Sequence, residues 1–592
     1  MLELTENARR VLEARYLRRD AERRIIETPE QLLERVARAV AQAELLLGTA
    51  REAARWEAEF HDLMARFDFL PNTPTLMNAG TPLGQLAACF VLPVGDSLEE
   101  IFEALKQMAL VQRTGGGTGF SFSRLRPRGA TLLSTGGTTP GPVAFMKVFD
   151  CATENVKLGG RRRGANMGIL RVDHPDILEF VGAKLSGREL RNFNISVGAT
   201  DAFMEAAARG AEYDLIDPRN GSRTGKLNAA EVFDRIVNAA WHTGDPGLVF
   251  LDAINRANPT PHVGEIEATN PCGEIPLLPY ESCNLGSINL GHMVRERGEG
   301  HAELDREKLR ATVRTAVRFL DDVVEVGRFP VPEIERITRA NRKIGLGVMG
   351  FADMLIRLGI SYDSDDAVRM ADDVMGLIAE AARDTSAELA AERGVFPNWR
   401  GSVHEREGRR VRNATQTAIA PTGTISIIAG ASASIEPLFA LAYRRSHVLE
   451  GQTLHEVNPL FLREVEARGL DVDRLVSHVT ETGSLRGAPD VPESLMRVFV
   501  TALEIPPDRH LEIQAAFQRH VDNSVSKTVN LPESATPEDV ARIYRRAWEL
   551  GLKGITLYRY GSKGTQVLEI GRDEGPSQYE HGAPCDPTES RV

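Results

Sequence analysis

Five cysteines in 592 residues, Cys89, Cys151, Cys272, Cys283 and Cys585, are too few and too scattered for a disulfide scaffold. No pair stands at CxxC spacing and no HExxH occurs, which argues against a structural zinc or a zincin centre, and no metal site is indicated. His404-Glu405 lacks the second histidine and reads as a solvated surface pair. No apolar run reaches membrane-spanning length, and residues 1–30, charged throughout, lack the apolar core of a secretory signal. The formal net charge of −12 gives no general attraction for nucleic acid polymers or anionic lipid, so an anionic ligand must be held by local donors. What is left is a cytoplasmic globular protein, 42% hydrophobic and 26% charged, long enough for an extensive core.

The patterning is α/β. Thr28-Pro29-Glu30-Gln31 opens a helix whose apolar residues Leu32, Leu33, Val36, Val40 and Leu47 recur at helical spacing as far as Gly48. Similar amphipathic helices are predicted over 305–326 and 365–393. Between helices lie short β-rich runs at 168–172, 193–199, 247–251, 286–290, 344–350, 417–422, 526–531 and 554–558, the pattern of a mainly parallel sheet buried on both faces. The expected organisation is a helical N-terminal segment over 1–65, an α/β unit over 66–570, and a polar, flexible tail over 571–592.

In α/β folds ligands collect at strand ends and the loops that follow. The segment TNPCGEIPLLPYESCNLG, from Thr269 to Gly286, fits that place, because Pro271, Gly273 and Pro276 break any helix and put Cys272 on a turn. Alone, Asn270-Pro-Cys272-Gly-Glu274 is equally a tight turn with a solvated glutamate. Cys89 in QLAAC and Cys283 in ESCNLG change the balance: three thiols allow one centre for radical or nucleophilic work and a pair that can give up two electrons as a disulfide.

Together QLAAC, NPCGE, ESCNLGSINL, RKIGLGVMGFAD, IAPTGTIS, DNSVSKTVNLP and GITLYRYGSKGTQVL resemble the catalytic chain of the ribonucleotide reductases, specifically the adenosylcobalamin-dependent class II type, from about Asn72 to about Leu568. The resemblance implies a ten-stranded α/β barrel of two five-stranded parallel halves with a central finger loop carrying Cys272. By the family's mechanism Cys272 becomes a thiyl radical and takes the 3′ hydrogen of a ribonucleotide. Glu274 deprotonates the 3′ hydroxyl, Asn270 orients the substrate, and Cys89 and Cys283 end as a redox disulfide. A carboxylate two positions from the thiol suits a general base, and a radical favours a packed interior.

Pro421, Thr422, Gly423, Thr424 and Ser426 resemble the substrate-phosphate loop, whose backbone N–H groups and hydroxyls suit a diphosphate. Thr73 and Ala88 correspond to further substrate contacts. Asp96, Ser97 and Arg126 match the site for a dNTP or ATP effector, although Asp96 and Ser97 equally suit helix capping. Arg161, Arg162, Arg163, Gly164, Ala165 and Asn166 resemble the loop that passes base identity from effector to substrate. Relatives that import a radical from a second subunit carry two adjacent tyrosines where this chain has Tyr558-Arg559, and no C-terminal glycyl-radical motif is present. Adenosylcobalamin is therefore the expected cofactor, although no DxHxxG motif assigns its contacts.

Two departures stand out. Ala87-Ala88 replace serines common in relatives, and the tail offers only Cys585 where relatives carry a cysteine pair, so a thioredoxin-like or small dithiol is expected as reductant. The 60 residues or so before the catalytic motifs are too few for an ATP-cone module. A homodimer is expected, because the family's effector site lies at a subunit interface. Cys151 belongs to no motif and reads as an inert buried thiol.

Overall fold

Thr28 opens the first long helix as its pattern predicts. Its hydroxyl accepts from Gln31 N while Gln31 Oε1 accepts from Thr28 N, closing a capping box on α1 (Pro29–Val40). The helix expected to reach Gly48 is two helices, α1 and α2 (Gln42–Leu47), with the break at Ala41. The second aims Glu44 inward, where it meets Arg318 at 2.5 Å and Arg393 at 2.6 Å, two arginines of the barrel's outer helices. Thr49 caps α3 (Ala50–Ala65) in the same manner as Thr28. This computed structural model describes residues 2–132, 136–158, 162–297, 302–449, 452–562 and 568–569; Arg161, Cys585 and the tail over 571–592 lie outside them. Among the described residues no helix is long and apolar enough to cross a membrane.

Ten strands form the main sheet: β1 (Phe69–Pro71), β2 (Cys89–Val91), β3 (Gly117–Ser121), β4 (Asn166–Arg171), β5 (Phe193–Ala199), β6 (Gly247–Phe250), β7 (Ser282–Asn289), β8 (Ile344–Met349), β9 (Thr528–Leu531) and β10 (Gly554–Arg559). Strands β2, β3, β4, β5 and β6 pair in that order, all parallel. A second parallel set runs from β7 to β8, through single bridges Leu346 to Thr417 and Ile419 to Val525, and on to β9 and β10. The two sets meet at antiparallel seams, β2 with β7 and β6 with β10, so the ring closes as a barrel of two five-membered halves, with β1 pairing outside it on β7. The run at 417–422, expected as a strand, contributes only those bridges, because Pro421 has no N–H for a ladder and the chain turns there.

Alternation along each strand sorts the two faces. Cys89, Met167, Ile169, Cys283 and Leu285 point into the barrel, where they pack with Ile266, Ala268, Ile275 and Leu277 of the loop between β6 and β7. Outward residues such as Phe120, Leu170 and Val197 pack under α4 (Leu98–Arg113) and α5 (Pro142–Asn155), whereas Ile344, Leu346 and Val348 pack under α6 (Arg306–Val326) and α7 (Asp365–Arg393). Helices α6 and α7 end within a buried ion network, Arg393 with Asp322 at 2.7 Å and Arg342 with Asp321 at 2.8 Å, that ties the N-terminal helices to the second half.

Two expectations are overturned. His404 is buried: its Nε2 lies 2.9 Å from Ala414 O and its ring meets Phe396 edge-on, so only Glu405 faces water. Cys151 is exposed, because the helical period of α5 turns it away from the face that buries Met146 and Phe149.

Candidate active site

The loop from Ile266 to Leu278 enters the barrel as a narrow hairpin, Ala268 opposite Leu277 and Thr269 opposite Pro276. It fits because β3 presents glycine inward. A Cβ on Gly119 would lie 1.7 Å from Thr269 O, and one on Gly117 would lie 2.9 Å from Pro271. At the tip, Asn270 Oδ1 accepts from Ile275 N at 3.0 Å, and Gly273, at φ +83°, donates to Asn270 O at 3.1 Å. Both halves of the barrel hold this turn. Asn194 Nδ2 on β5 donates to Pro271 O at 2.8 Å, and Ser524 N, just before β9, donates to Glu274 O at 2.8 Å.

The three sequence-distant cysteine segments converge here. Cys89 and Cys283 stand directly opposite each other across the antiparallel seam, both buried and both free thiols. Opposed residues on antiparallel strands have Cα atoms about 4.5–5.5 Å apart, within the span of a disulfide. Asn270 Nδ2 donates to Cys89 Sγ at 3.1 Å, and the Cys89 thiol points to Glu274 Oε1 at 3.9 Å. Burial, then the Glu274 carboxylate and Cys283, push the Cys89 thiol well up, so it keeps its proton. Burial also pushes the Cys283 thiol up, against the pull of Lys343. Asn270 and Glu274 are buried, while Cys272 at the tip is half-buried. A protonated thiol, an amide and a carboxylate are thus in contact, the latter two each two residues from the half-buried Cys272; such groups can donate, direct and hold a proton, and the thiol pair can give up two electrons.

The remaining substrate candidates stand at Thr73, just after β1, at Ala88, just before β2, and in the turn that leads into the helix over 425–429. Thr422, at φ +55°, accepts from Ser434 N through Oγ1 at 2.7 Å, and its carbonyl accepts from Ser426 N at 2.9 Å, shaping the entrance to α8 (Ile425–Ala429). Pro421 and Thr424 are half-buried, Ser426 is buried, and Gly423 is exposed with open space where a Cβ would stand. Thr73 Oγ1 lies 2.8 Å from Tyr16 OH. Ala88 N donates to Cys283 O at 3.1 Å, which ties it to the seam by its backbone.

Asp96 and Arg126 are joined: Arg126 N and Nε each donate to the Asp96 carboxylate at 2.8 Å, and Nη2 to its carbonyl at 3.1 Å. Ser97 caps α4, accepting from Glu100 N at 3.2 Å, so its capping role is present. At the other end of α4, Gln112 Nε2 donates to Asn166 Oδ1 at 2.9 Å and crowds Gly164, whose Cβ would lie 2.5 Å from Gln112 Oε1. Arg162 and Arg163 form a short antiparallel ladder with Lys157 and Leu158, and Ala165 accepts from Thr118 N. Helix α4 therefore links the Asp96 end to the Asn166 end of the arginine loop. Arg559 is anchored away from the barrel interior, donating to Trp241 O at 3.1 Å with its guanidinium 4.1 Å from the Trp241 ring centre.

Sequence inspection missed Asn194, Tyr16, Glu281 and Lys343. Asn194 interrupts an otherwise apolar run at 193–199, and a polar residue at an inward strand position was the available signal. Glu281 and Lys343 gave none, since only pairing of β7 with β8 brings them together.

Residues 87–410 and 406–558 match the barrel domain of ribonucleotide reductase, and residues 2–84 match its all-alpha domain. The chain belongs to the ribonucleotide reductase large-chain family. It is similar to the vitamin B12-dependent ribonucleoside-diphosphate reductase of Mycobacterium tuberculosis, 53% identical over 570 residues, covering 96% of this chain and 81% of that one. The protein of the same name from Thermoplasma acidophilum is 50% identical over 628 aligned residues, with 97% and 81% covered. Among solved structures, the Actinobacillus ureae class Id ribonucleotide reductase alpha subunit superposes with a TM-score of 0.77 at 25% identity, covering 94% of this chain and 97% of that one.

Proposed function

We propose that this chain is an adenosylcobalamin-dependent ribonucleoside-diphosphate reductase, a cytoplasmic homodimer under dNTP or ATP specificity control and re-reduced by a dithiol. The observation that carries it is the register of Cys89 against Cys283 with Cys89 bonded to Asn270 beside Glu274. Relatives half identical to the chain over nearly its whole length bear the corresponding name.

The tip offers the cofactor a thiol that is not sealed in the core: Cys272 is half-buried, and nothing stands within 4 Å of where a Cβ on Gly273 would lie. When bound, adenosylcobalamin supplies the one-electron oxidising equivalent. The chain's own residues do the rest. Cys272 takes the 3′ hydrogen and later returns it, Glu274 holds the 3′ hydroxyl proton, and Asn270 orients the sugar. Cys89, kept protonated by burial and Glu274, gives its proton to the departing 2′ hydroxyl, and Cys89 with Cys283 closes to a disulfide. The Thr422 to Ser426 turn receives the diphosphate, with Thr73 and Ala88 at the substrate's edge.

For the effector, Arg126 supplies a phosphate fork once it leaves Asp96, with Ser97 alongside, and α4 transmits the change through Gln112 to Gly164, Ala165 and Asn166. A second copy has a surface to meet: Leu98, Phe102, Leu105 and Ala109 recur on α4 beside Phe145, Val148 and Ala152 on α5, and Leu98 is 60% exposed.

The deciding assay combines purified full chain, a ribonucleoside diphosphate, adenosylcobalamin and dithiothreitol. Deoxyribonucleotide is expected without any protein partner. Product that requires a second protein and not the cobalamin would overturn the proposal.

A further inference from the structure

Beside the cysteine pair, the barrel wall holds a buried charged pair that the mechanism above does not use. Lys343 Nζ lies 2.7 Å from Glu281 Oε2, and both side chains are 1% exposed. Glu281 is fixed on every side: Leu278 N donates to Oε2 at 2.6 Å, and Asn341 Nδ2 donates to Oε1. The register places this pair. Asn284 on β7 is opposite Ile344 on β8, so Lys343, one residue before Ile344, stands beside Cys283. Asn284 turns outward to Leu320 O and Ile344 packs in the outer core, whereas a Cβ on Gly345 would meet inward-facing Leu285 at 2.4 Å. Alternation therefore turns Cys283 and Lys343 to the same, inner face. Across three strands the row runs Cys89, Cys283, Lys343.

The two thiols of the pair consequently differ in surroundings. Cys89 has a carboxylate and an amide beside it, while Cys283 has an ammonium held in place by Glu281. We propose that Lys343, clamped by Glu281, is a positioning charge that stabilises the Cys283 sulfur as it leaves during re-reduction of the Cys89–Cys283 disulfide. The inference rests on the role given to that pair under Proposed function.

The step balances as thiol–disulfide exchange. A thiolate of an external dithiol attacks Cys89 Sγ, the S–S bond breaks, and Cys283 departs as a thiolate that then takes a proton. The second thiol of the reductant closes on the mixed disulfide and expels Cys89, which is protonated in turn. The dithiol becomes a disulfide, and its two electrons rest on Cys89 and Cys283. Exchange is faster when the leaving thiol is the better anion; Lys343 favours the Cys283 thiolate, against burial and the Glu281 and Glu274 carboxylates that oppose it.

The test uses the full chain oxidised with diamide, with the pairing checked by peptide mapping, and follows reduction by dithiothreitol through alkylation and mass. Lys343→Met is expected to slow reduction of the disulfide about tenfold. Lys343→Arg, which keeps the positive charge in a bulkier group, is expected to be reduced faster than Lys343→Met; a purely structural defect would not separate arginine from methionine by charge. Because Lys343→Met strands a buried carboxylate, the double variant Lys343→Met, Glu281→Met guards against misfolding, since removing both partners of a buried pair is tolerated far better than removing one. It is expected to be slowed in the same direction, by less. If the unaltered chain forms no Cys89–Cys283 disulfide, the role assigned to the pair fails and this inference with it. If the disulfide forms but Lys343→Met or the double variant is reduced as fast as the unaltered chain, the inference alone is overturned.

Discussion

The barrel interior and the surface around Asp96 handle polar groups in opposite ways. Inside, Asn270, Glu274, Cys89 and Cys283 are buried, and the turn that carries Cys272 is bonded to both halves of the barrel. At the surface, Asp96 and Arg126 are each about a quarter exposed and are bonded to one another. The first arrangement is complete on folding, which is what a reaction needs when each group must already be in place. The second is a partly exposed ion pair that water screens, so dividing it costs the fold little.

Substitutions should therefore act differently in the two regions. The largest effect is expected from Cys272→Ala, which should lower deoxyribonucleotide formation by at least about 10⁴-fold while leaving thermal unfolding unchanged. Glu274→Gln should cost about 10²–10⁴-fold in turnover, the usual worth of a positioned base, read as kcat with saturating diphosphate. At the surface, Arg126→Ala should raise the effector concentration needed for half-maximal response by about 10–100-fold, the loss of charge-assisted hydrogen bonds. Phe102→Asp should weaken self-association by about tenfold or more in sedimentation, without shifting the unfolding temperature of the monomer. A surface variant that abolished turnover, or Cys272→Ala that altered effector binding, would break the contrast.

Sequence pattern conveyed the elements better than their surroundings. The strand over 193–199 and the helices over 305–326 and 365–393 lie where periodicity puts them, because each buries one face against a long partner. The break at Ala41 was not legible, since the charge Glu44 turns inward to meet comes from Arg318 and Arg393, far along the chain. Cys151 and His404 show the same limit: whether a polar or sulfur side chain is buried depends on which helix face or loop covers it. For the site, the clustering of Asn270, Cys272 and Glu274 was local and readable. The apposition of Cys89 and Cys283 followed from family resemblance, and the row that adds Lys343 follows from strand register alone.

The seam between β2 and β7 joins the two halves by hydrogen bonds at one edge of each. A covalent link between Cys89 and Cys283 would span that joint and close a very long stretch of polypeptide into a loop, a constraint on the unfolded chain worth about 4–5 kcal/mol. Molecules starved of electrons after a single round would then wait as the hardier form, resisting heat and proteases until a reductant frees them.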